Sequence, residues 1–219
     1  MARRFNSVST DSLVTQFSAH NSTRTYSMWS LRLGAGGGNL GRFFDKRTGG
    51  AQVEVMYSDD GGPNIEFTRN FDTGANTWRY TGGNVIGVLY HYALTYNSSS
   101  TTNQAVLWVN GVKVTFSQVV ATAVGNALTN TDRYVVGNRT SDNARNFGGI
   151  HSEFAIWNRI LNDREIVSLS KGFSPAFFPN SLVEYVPLEV RNVSYKNKKP
   201  TLTGTILERH PRIIYPRGI

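Results

Sequence analysis

Apolar and polar residues alternate along most of this chain with a period of two. That period sends successive side chains to opposite faces of a strand, so each alternating run predicts a half-buried strand. Met28–Leu33 alternates, with Trp29, Leu31 and Leu33 sharing one face. Leu40–Phe44 and Gln52–Tyr57 follow, and the glycine turn Asp59-Asp-Gly-Gly62 leads into Asn64–Phe67. Trp78–Thr81 is short, whereas Val85–Tyr96 is long and strongly apolar, as a central strand would be. Ala105–Val109, Asn110-Gly111 and Val112–Phe116 read as a hairpin, because Asn-Gly meets the positive-φ demand of a type I′ turn. Tyr134–Val136 precedes a polar loop over residues 137–146. In the next run, Phe154 and Ile156 alternate with Glu153, Ala155 and Trp157. The polar stretch 6–25 supplies an edge strand and then a loop.

Helical periodicity is almost absent before residue 160. There Asn162 stands three residues ahead of Glu165, with Ile166 and Leu169 following, so a capping box opens one short helix near 162–171. Pro175 and Pro179 then interrupt the pattern. The reading is one domain over 1–173, with its core in 25–172. A basic, Pro-containing C-terminal arm over 174–219 packs on that domain or on a neighbouring subunit, and Leu182–Leu188 is a strand at its start. No internal repeat is visible.

Composition narrows the class. Glycine (21 residues) and aromatics (12%) are plentiful and charged residues are sparse at 17%, which suits a sandwich or jelly roll and excludes extended disorder. There is no cysteine, so disulfides, thiolate metal sites and thiol catalysis are excluded. No apolar run of about 18 residues is present to cross a membrane. Met1-Ala-Arg-Arg-Phe-Asn-Ser7 has no apolar stretch behind its arginines, so no secretory signal is expected. The net charge is +8, and residues 171–219 hold +5 of it, with eight Lys/Arg against three Glu. Such a tail favours an acidic partner.

Three segments carry a family resemblance. Val106-Leu-Trp-Val-Asn-Gly-Val112 resembles the "L-Y-V-N-G" hairpin of laminin-G-like domains in the concanavalin A-like jelly-roll superfamily. Tyr90-His-Tyr-Ala-Leu-Thr-Tyr96 is similar to the family's preceding "H-V-A-V-T-Y" strand, and Gly149 to Ile166 to its closing "E-x-x-I-W-N-R-x-L-x-x-x-E-I" run. The resemblance implies an all-β sandwich of two antiparallel sheets and binding of sugars or proteins rather than catalysis. Some members bind calcium through an Asp just before the closing Glu; here Ser152 stands there, which puts calcium in doubt. A second resemblance, to single-domain proteins among tailed-phage virion genes, rests on Met1-Ala-Arg-Arg-Phe-Asn6, Pro179-Asn-Ser-Leu-Val-Glu-Tyr-Val-Pro-Leu188 and His210-Pro-Arg-Ile-Ile-Tyr-Pro216. It implies a virion-surface protein, made in the host without a signal peptide.

The chemistry agrees with a binding role. The paired carboxylates of the superfamily's glucanases, Glu-x-Asp-x-x-Glu or one residue longer, have no counterpart, and Asp163 and Glu165 are explained by capping. Asp59 and Asp60 are the weak candidates for calcium, and turn chemistry explains them as well. His20, His91, His151 and His210 have no metal spacing; His91 alternates in a sheet and His151 is expected buried and hydrogen-bonded. Neither a G-x-S-x-G elbow nor a phosphate loop is present. No cofactor is implied.

A sugar site needs an aromatic platform beside polar groups. Trp78, Tyr80, Tyr134, Asn138, Arg139, Asp142 and Arg145 are the candidates, while Trp29, Trp108 and Trp157 read as structural. In the arm, Lys196, Lys198, Lys199, Arg209, Arg212, Tyr215 and Arg217 form a partner-binding strap better suited to a neighbouring subunit than to nucleic acid. The functional expectation is a non-enzymatic virion structural or decoration protein with a lectin-like domain. Its partners would be capsid or tail proteins, further copies of itself and cell-surface glycans. The alternative is a soluble carbohydrate-binding protein.

Overall fold

The computed structural model describes residues 2–6, 11–18, 21–48, 51–59, 63–139, 141–142, 144–187, 200–208 and 213–216; for residues 48, 59, 202, 207 and 208 it describes the backbone alone. The strands in chain order are β1 (Ala2–Phe5), β2 (Ser12–Val14), β3 (Thr23–Arg32), β4 (Arg42–Thr48), β5 (Ala51–Asp59), β6 (Asn64–Thr73), β7 (Ala75–Thr81), β8 (Leu89–Asn97), β9 (Val106–Val109), β10 (Val112–Lys113), β11 (Ser117–Ala121), β12 (Val124–Ala127), β13 (Val135–Val136) and β14 (Gly149–Trp157). Helix α1 (Asp163–Ser170) follows, then β15 (Leu182–Val186), β16 (Thr201–Thr203) and β17 (Ile206–Glu208).

These strands make two antiparallel sheets. The first runs β10-β9-β8-β3-β14-β1-β17, with β15 also on β14; the second runs β11-β7-β6-β5-β4-β13-β2-β16, with β12 on β6. The expected all-β jelly roll with one short helix is therefore present. Between the sheets, Phe44, Met56, Phe67 and Trp78 stand side by side on β4 to β7. They pack with Tyr26, Met28, Tyr92, Leu94, Phe154 and Ile156 of the first sheet in one buried cluster. Removing this much aromatic surface from water is the main force holding the sheets together.

Period-two alternation located the strands without saying which face is inward. On β3 it is Tyr26 and Met28 that enter the core, while Trp29 is half-buried on the opposite face and Leu33 is 42% exposed. The run Val85–Tyr96 is not one strand. Its first residues form a turn that leaves Val85, Ile86 and Val88 exposed, and pairing starts at Leu89. The Asn110-Gly111 turn has φ of 50° and 78° at its two residues, the left-handed pair a type I′ turn requires. A Cβ on Gly111 would also lie 2.3 Å from Ser170 Oγ, so this glycine lets the hairpin approach the end of α1.

The outward face of the first sheet is apolar and covered. Ala93, Trp108, Ala155 and Trp157 pack with Leu161, Ile166, Leu169, Leu182 and Tyr185. Helix α1 is held there by a capping box: the Asn162 side chain accepts from Glu165 N, and Glu165 accepts from Asn162 N. Arg159 pairs with the same carboxylate and holds it below the usual range.

Three strands from residues 174–219, β15, β16 and β17, belong to the same sheets. β16 edges β2 in the second sheet and β17 edges β1 in the first, so the chain crosses between sheets alongside the N-terminal crossover from β1 to β2. Gly204 makes the crossing possible: its φ is +67°, and a Cβ there would sit 2.0 Å from Asp11 Oδ1. The Asp11 carboxylate in turn accepts from Asn6 N and Nδ2.

Candidate functional site

The second sheet turns a different face to the outside. Ser117, Arg79, Glu66, Tyr57 and Arg42 are direct neighbours across β11, β7, β6, β5 and β4. Directly paired residues share a face, so these five form one row across the sheet. They sit one position out of step with the aromatic row that fills the core. A second row, Val120, Thr77, Thr68, Val55 and Asp45, runs beside it on the same face.

The row is linked by polar contacts. The Arg42 guanidinium lies 4.6 Å from the Tyr57 ring centre, Tyr57 OH donates to Glu66 Oε2, and Arg79 Nε donates to Glu66 Oε1. Asp45 is fully buried beneath Arg42 and Arg47, with Nε contacts of 3.3 and 2.9 Å. Burial pushes the Asp45 carboxyl up, and Arg47 and Arg42 oppose that. Burial pulls Arg42 down to about 10, with Asp45 acting against it. Thr68 and Thr77 share a hydroxyl–hydroxyl hydrogen bond of 2.9 Å.

At its β7–β11 end the row opens into a cavity of about 300 Å³ lined by Arg79, Tyr80, Thr81, Thr115, Ser117 and Val119. That is the lower end of the size of small-ligand sites. It combines a guanidinium, three hydroxyls, a phenol ring and one apolar side chain, the donors, acceptors and apolar surface a sugar ring needs.

Of the expected site residues, Tyr80 lines this cavity. Trp78, two residues before it, is fully buried between the sheets, with Nε1 donating to Gln104 Oε1 at 2.9 Å, so it offers no platform. Tyr134 is also fully buried. Its hydroxyl accepts from Arg24, donates to Glu54 and lies 3.2 Å from Tyr26 OH, an interior polar hub closed by Lys46 bonding to the Ser18 and Asp132 carbonyls. Asn138 is buried too; its Oδ1 accepts from Arg139 N and Arg145 N and so shapes the loop. Arg139 pairs with Asp142 and holds its carboxyl low, and Arg145 donates to Gly38 O at 2.5 Å. This loop lies at the Arg42 end, because the Arg139 charge acts on both Arg42 and Asp45.

Lys196, Lys198, Lys199, Arg209, Arg212 and Arg217 lie outside the described residues, as do Asp60, His20, His210 and the Asp59 side chain. Tyr215 does not reach out to a partner through its hydroxyl, which donates to Glu153 Oε1 at 3.0 Å beside the Tyr185 hydroxyl at 2.5 Å. Glu153 has φ +55° at the bulge where β14 exchanges β1 for β15 as its neighbour, so its carboxylate ties the tail to a strained backbone position. His151 is buried among Phe5, Phe43 and Phe147, and neither ring nitrogen makes a hydrogen bond of good geometry, contrary to expectation. Among the described residues no three His, Asp or Glu side chains come together as a metal site, and no helix is long and apolar enough to cross a membrane.

Sequence reasoning missed Arg42, Asp45, Tyr57, Glu66 and Arg79. They become neighbours only through the register of β4 to β7, and on β4 a bulge between Arg42 and Phe44 puts Arg42 and Asp45 on one face although they differ in parity.

No curated protein matches the chain in sequence. Solved structures do match. A candidate carbohydrate-binding protein from Bacteroides ovatus aligns with TM-score 0.67 at 19% identity over 97% of this chain, which spans 61% of that protein. The heptameric SAP-like pentraxin of Limulus polyphemus gives 0.65 at 11% identity over 94% and 93%. The CBM40 of a Ruminococcus gnavus sialidase, bound to α2,3-sialyllactose, gives 0.54 at 16% identity over 78% and 98%. At these identities the likeness is one of fold. With the two-sheet architecture in place and a family model matched over residues 5–167, the chain belongs to the laminin-G-like family of the concanavalin A-like lectin/glucanase superfamily.

Proposed function

We propose that the protein is a non-enzymatic carbohydrate-binding module whose ligand lies on the outward face of the second sheet. The observation that carries this is the sugar-sized cavity at Arg79 and Tyr80, where the Arg79 side chain is 42% exposed and joined to Glu66. The solved relatives named as carbohydrate-binding, one of them holding a sialylated sugar, share the fold and support the same reading. Among the described residues no carboxylate lines the cavity, and Glu66 beside it is held by Arg79 and Tyr57. A glycan array with the full chain should give saturable binding to a restricted set of sugars. Binding to none sinks the proposal, and release of reducing ends from a bound polysaccharide sinks its non-enzymatic part.

A second reading has the protein decorating a virion surface, attached to capsid or tail proteins through its termini and self-associating there. It is favoured by the +5 carried by residues 171–219 and by exposed Phe177 and Ile214, which Phe173 brings together. Replacing Lys196, Lys198 and Lys199 by Glu should strip the protein from purified particles. Full occupancy of that variant, measured by mass spectrometry, contradicts this reading.

A further inference from the structure

Charge is unevenly spread along the chain. The formal net charge is +8, yet residues 80–131 hold a single charged side chain, Lys113, and one histidine, the buried His91. This stretch supplies one edge of each sheet: β10 ends the first and β11 ends the second, with residues 114–116 joining them.

β11 is the less guarded of the two. Sheet edges are blunted by lysine, proline or a bulge, because their free N–H and C=O groups otherwise invite another strand. β10 carries Lys113, whereas β11 has neither lysine nor proline, and residues 114–131 carry no charged side chain. β11 does have a bulge, which leaves Val119 out of register between the Gln118–Trp78 and Val120–Thr77 pairs. The residue a bulge adds is unpaired in the ladder, so the middle of this edge has backbone groups without a strand partner. Val119 and Val120 are 47% and 40% exposed, and Val124 at the start of β12 is 64% exposed. The strand is held in place, since Gln118 Oε1 accepts from Gln104 Nε2 at 3.1 Å and Thr122 N and Oγ1 both donate to Ala75 O. Such an edge is preorganised to take a further strand.

We infer that this edge pairs with the same edge of a second copy of the chain, as a two-fold dimer joined through antiparallel β11 strands. A strand turned about a two-fold axis perpendicular to its sheet runs antiparallel to itself, so the edge is its own complement. Charge favours a second copy on this edge over any other face. Two chains of +8 repel, and like charges brought face to face are costly. β11 adds no charge to the contact, and its exposed valines meet valines. The neighbouring charges are engaged within the chain: Arg79 pairs with Glu66, and Asp72 accepts from Asn126 N and Nδ2. The five residues of β11 pair over their full length only when Val119 stands opposite its counterpart. So short a joint makes a small interface and a reversible dimer. Ser117 and Val119 also line the cavity. On the carbohydrate-binding reading, both cavities of the pair therefore lie beside the joint and face the same way, as binding to a multivalent sugar surface requires.

Sedimentation equilibrium of the full chain tests this. It should show a monomer–dimer equilibrium whose dissociation constant rises about tenfold or more in Val119→Lys, with the melting temperature unchanged because the side chain is exposed. The chain has no cysteine, so one introduced thiol reports the contact by itself. Under oxidation Val119→Cys should form a disulfide-linked dimer, since directly opposed Cβ atoms in an antiparallel pair are about 4.5–5.5 Å apart. It should do so about tenfold or more faster than Ile206→Cys on the far edge of the first sheet, where the side chain is 53% exposed. A monomer at every concentration overturns the inference, as does a dimer that Val119→Lys leaves at full strength. Equal cross-linking of the two cysteine variants overturns it as well, and that comparison decides even where Val119→Lys fails to fold. A dimer with no saturable binding on a glycan array keeps the interface and removes only the sugar reading.

Discussion

The two sheets use their outward faces in opposite ways. The first turns out Ala93, Trp108, Ala155, Trp157, Leu182 and Tyr185, and the chain covers them with α1 and with Leu161, Ala176 and Phe178 of the turns beside it. The second directs Arg42, Asp45, Tyr57, Glu66, Thr68, Thr77 and Arg79 away from the core, linked by polar contacts; all of them are buried except Tyr57 and the exposed Arg79. An apolar face must be buried for the domain to be stable, so its cover is structural. A linked polar row needs no apolar cover, and at its β7–β11 end, where Arg79 is exposed beside the cavity, an outside molecule can compete for its hydrogen bonds.

The largest effect that could break this contrast is on the covered side. Trp157→Ala empties a fully buried site and should cost about 3–5 kcal/mol in denaturant unfolding, with sugar affinity of the folded fraction unchanged. A loss below about 1 kcal/mol would mean the cover is not structural.

Acid should come next. Burial pulls His91 and His151 down to about 3, so the unfolded chain binds protons first and stability falls as pH drops below the ordinary histidine value of 6.5. Between pH 7.5 and 5.5 the two together should remove about 3 kcal/mol, reading 1.36 kcal/mol per unit for each. A flat stability profile over that range contradicts their burial. Neither histidine lies in the polar row, so binding by the folded fraction should change little over the same interval.

On the open side, Arg79→Ala should lower sugar affinity at least tenfold, about 1.4 kcal/mol. Its side chain is 42% exposed, so the melting curve should scarcely move. A large stability loss with affinity intact would make Arg79 a structural residue. Smallest is Asn162→Ala, which removes one half of the capping box and should cost about 1 kcal/mol without affecting binding.

Much of the fold was legible because local chemistry specified it. Asn110-Gly111 carried its own turn, and Asn162 with Glu165 carried its own helix start. The N-terminal and C-terminal crossings were not legible, since β1, β2, β16 and β17 are three or four residues each and too short for a period to show. β11 and β12 were missed because Val119, Val120 and Val124 are exposed and break the alternation.

The site was less legible still. Trp78 and Tyr80 share a parity, yet one fills the core and the other sits at the sandwich rim beside the cavity, a difference set by sheet edges rather than by residue type. Arg42 and Glu66 read singly as solvated strand positions. Only the register makes them neighbours.

The most direct measurement is the set of backbone amide chemical shifts of ¹⁵N-labelled protein during titration with the strongest array glycan. The account predicts the largest changes at Arg79, Tyr80, Thr81 and Ser117, spreading along the row to Tyr57 and Arg42. Changes confined to α1 and Trp157, with the β7–β11 cavity silent, would contradict it.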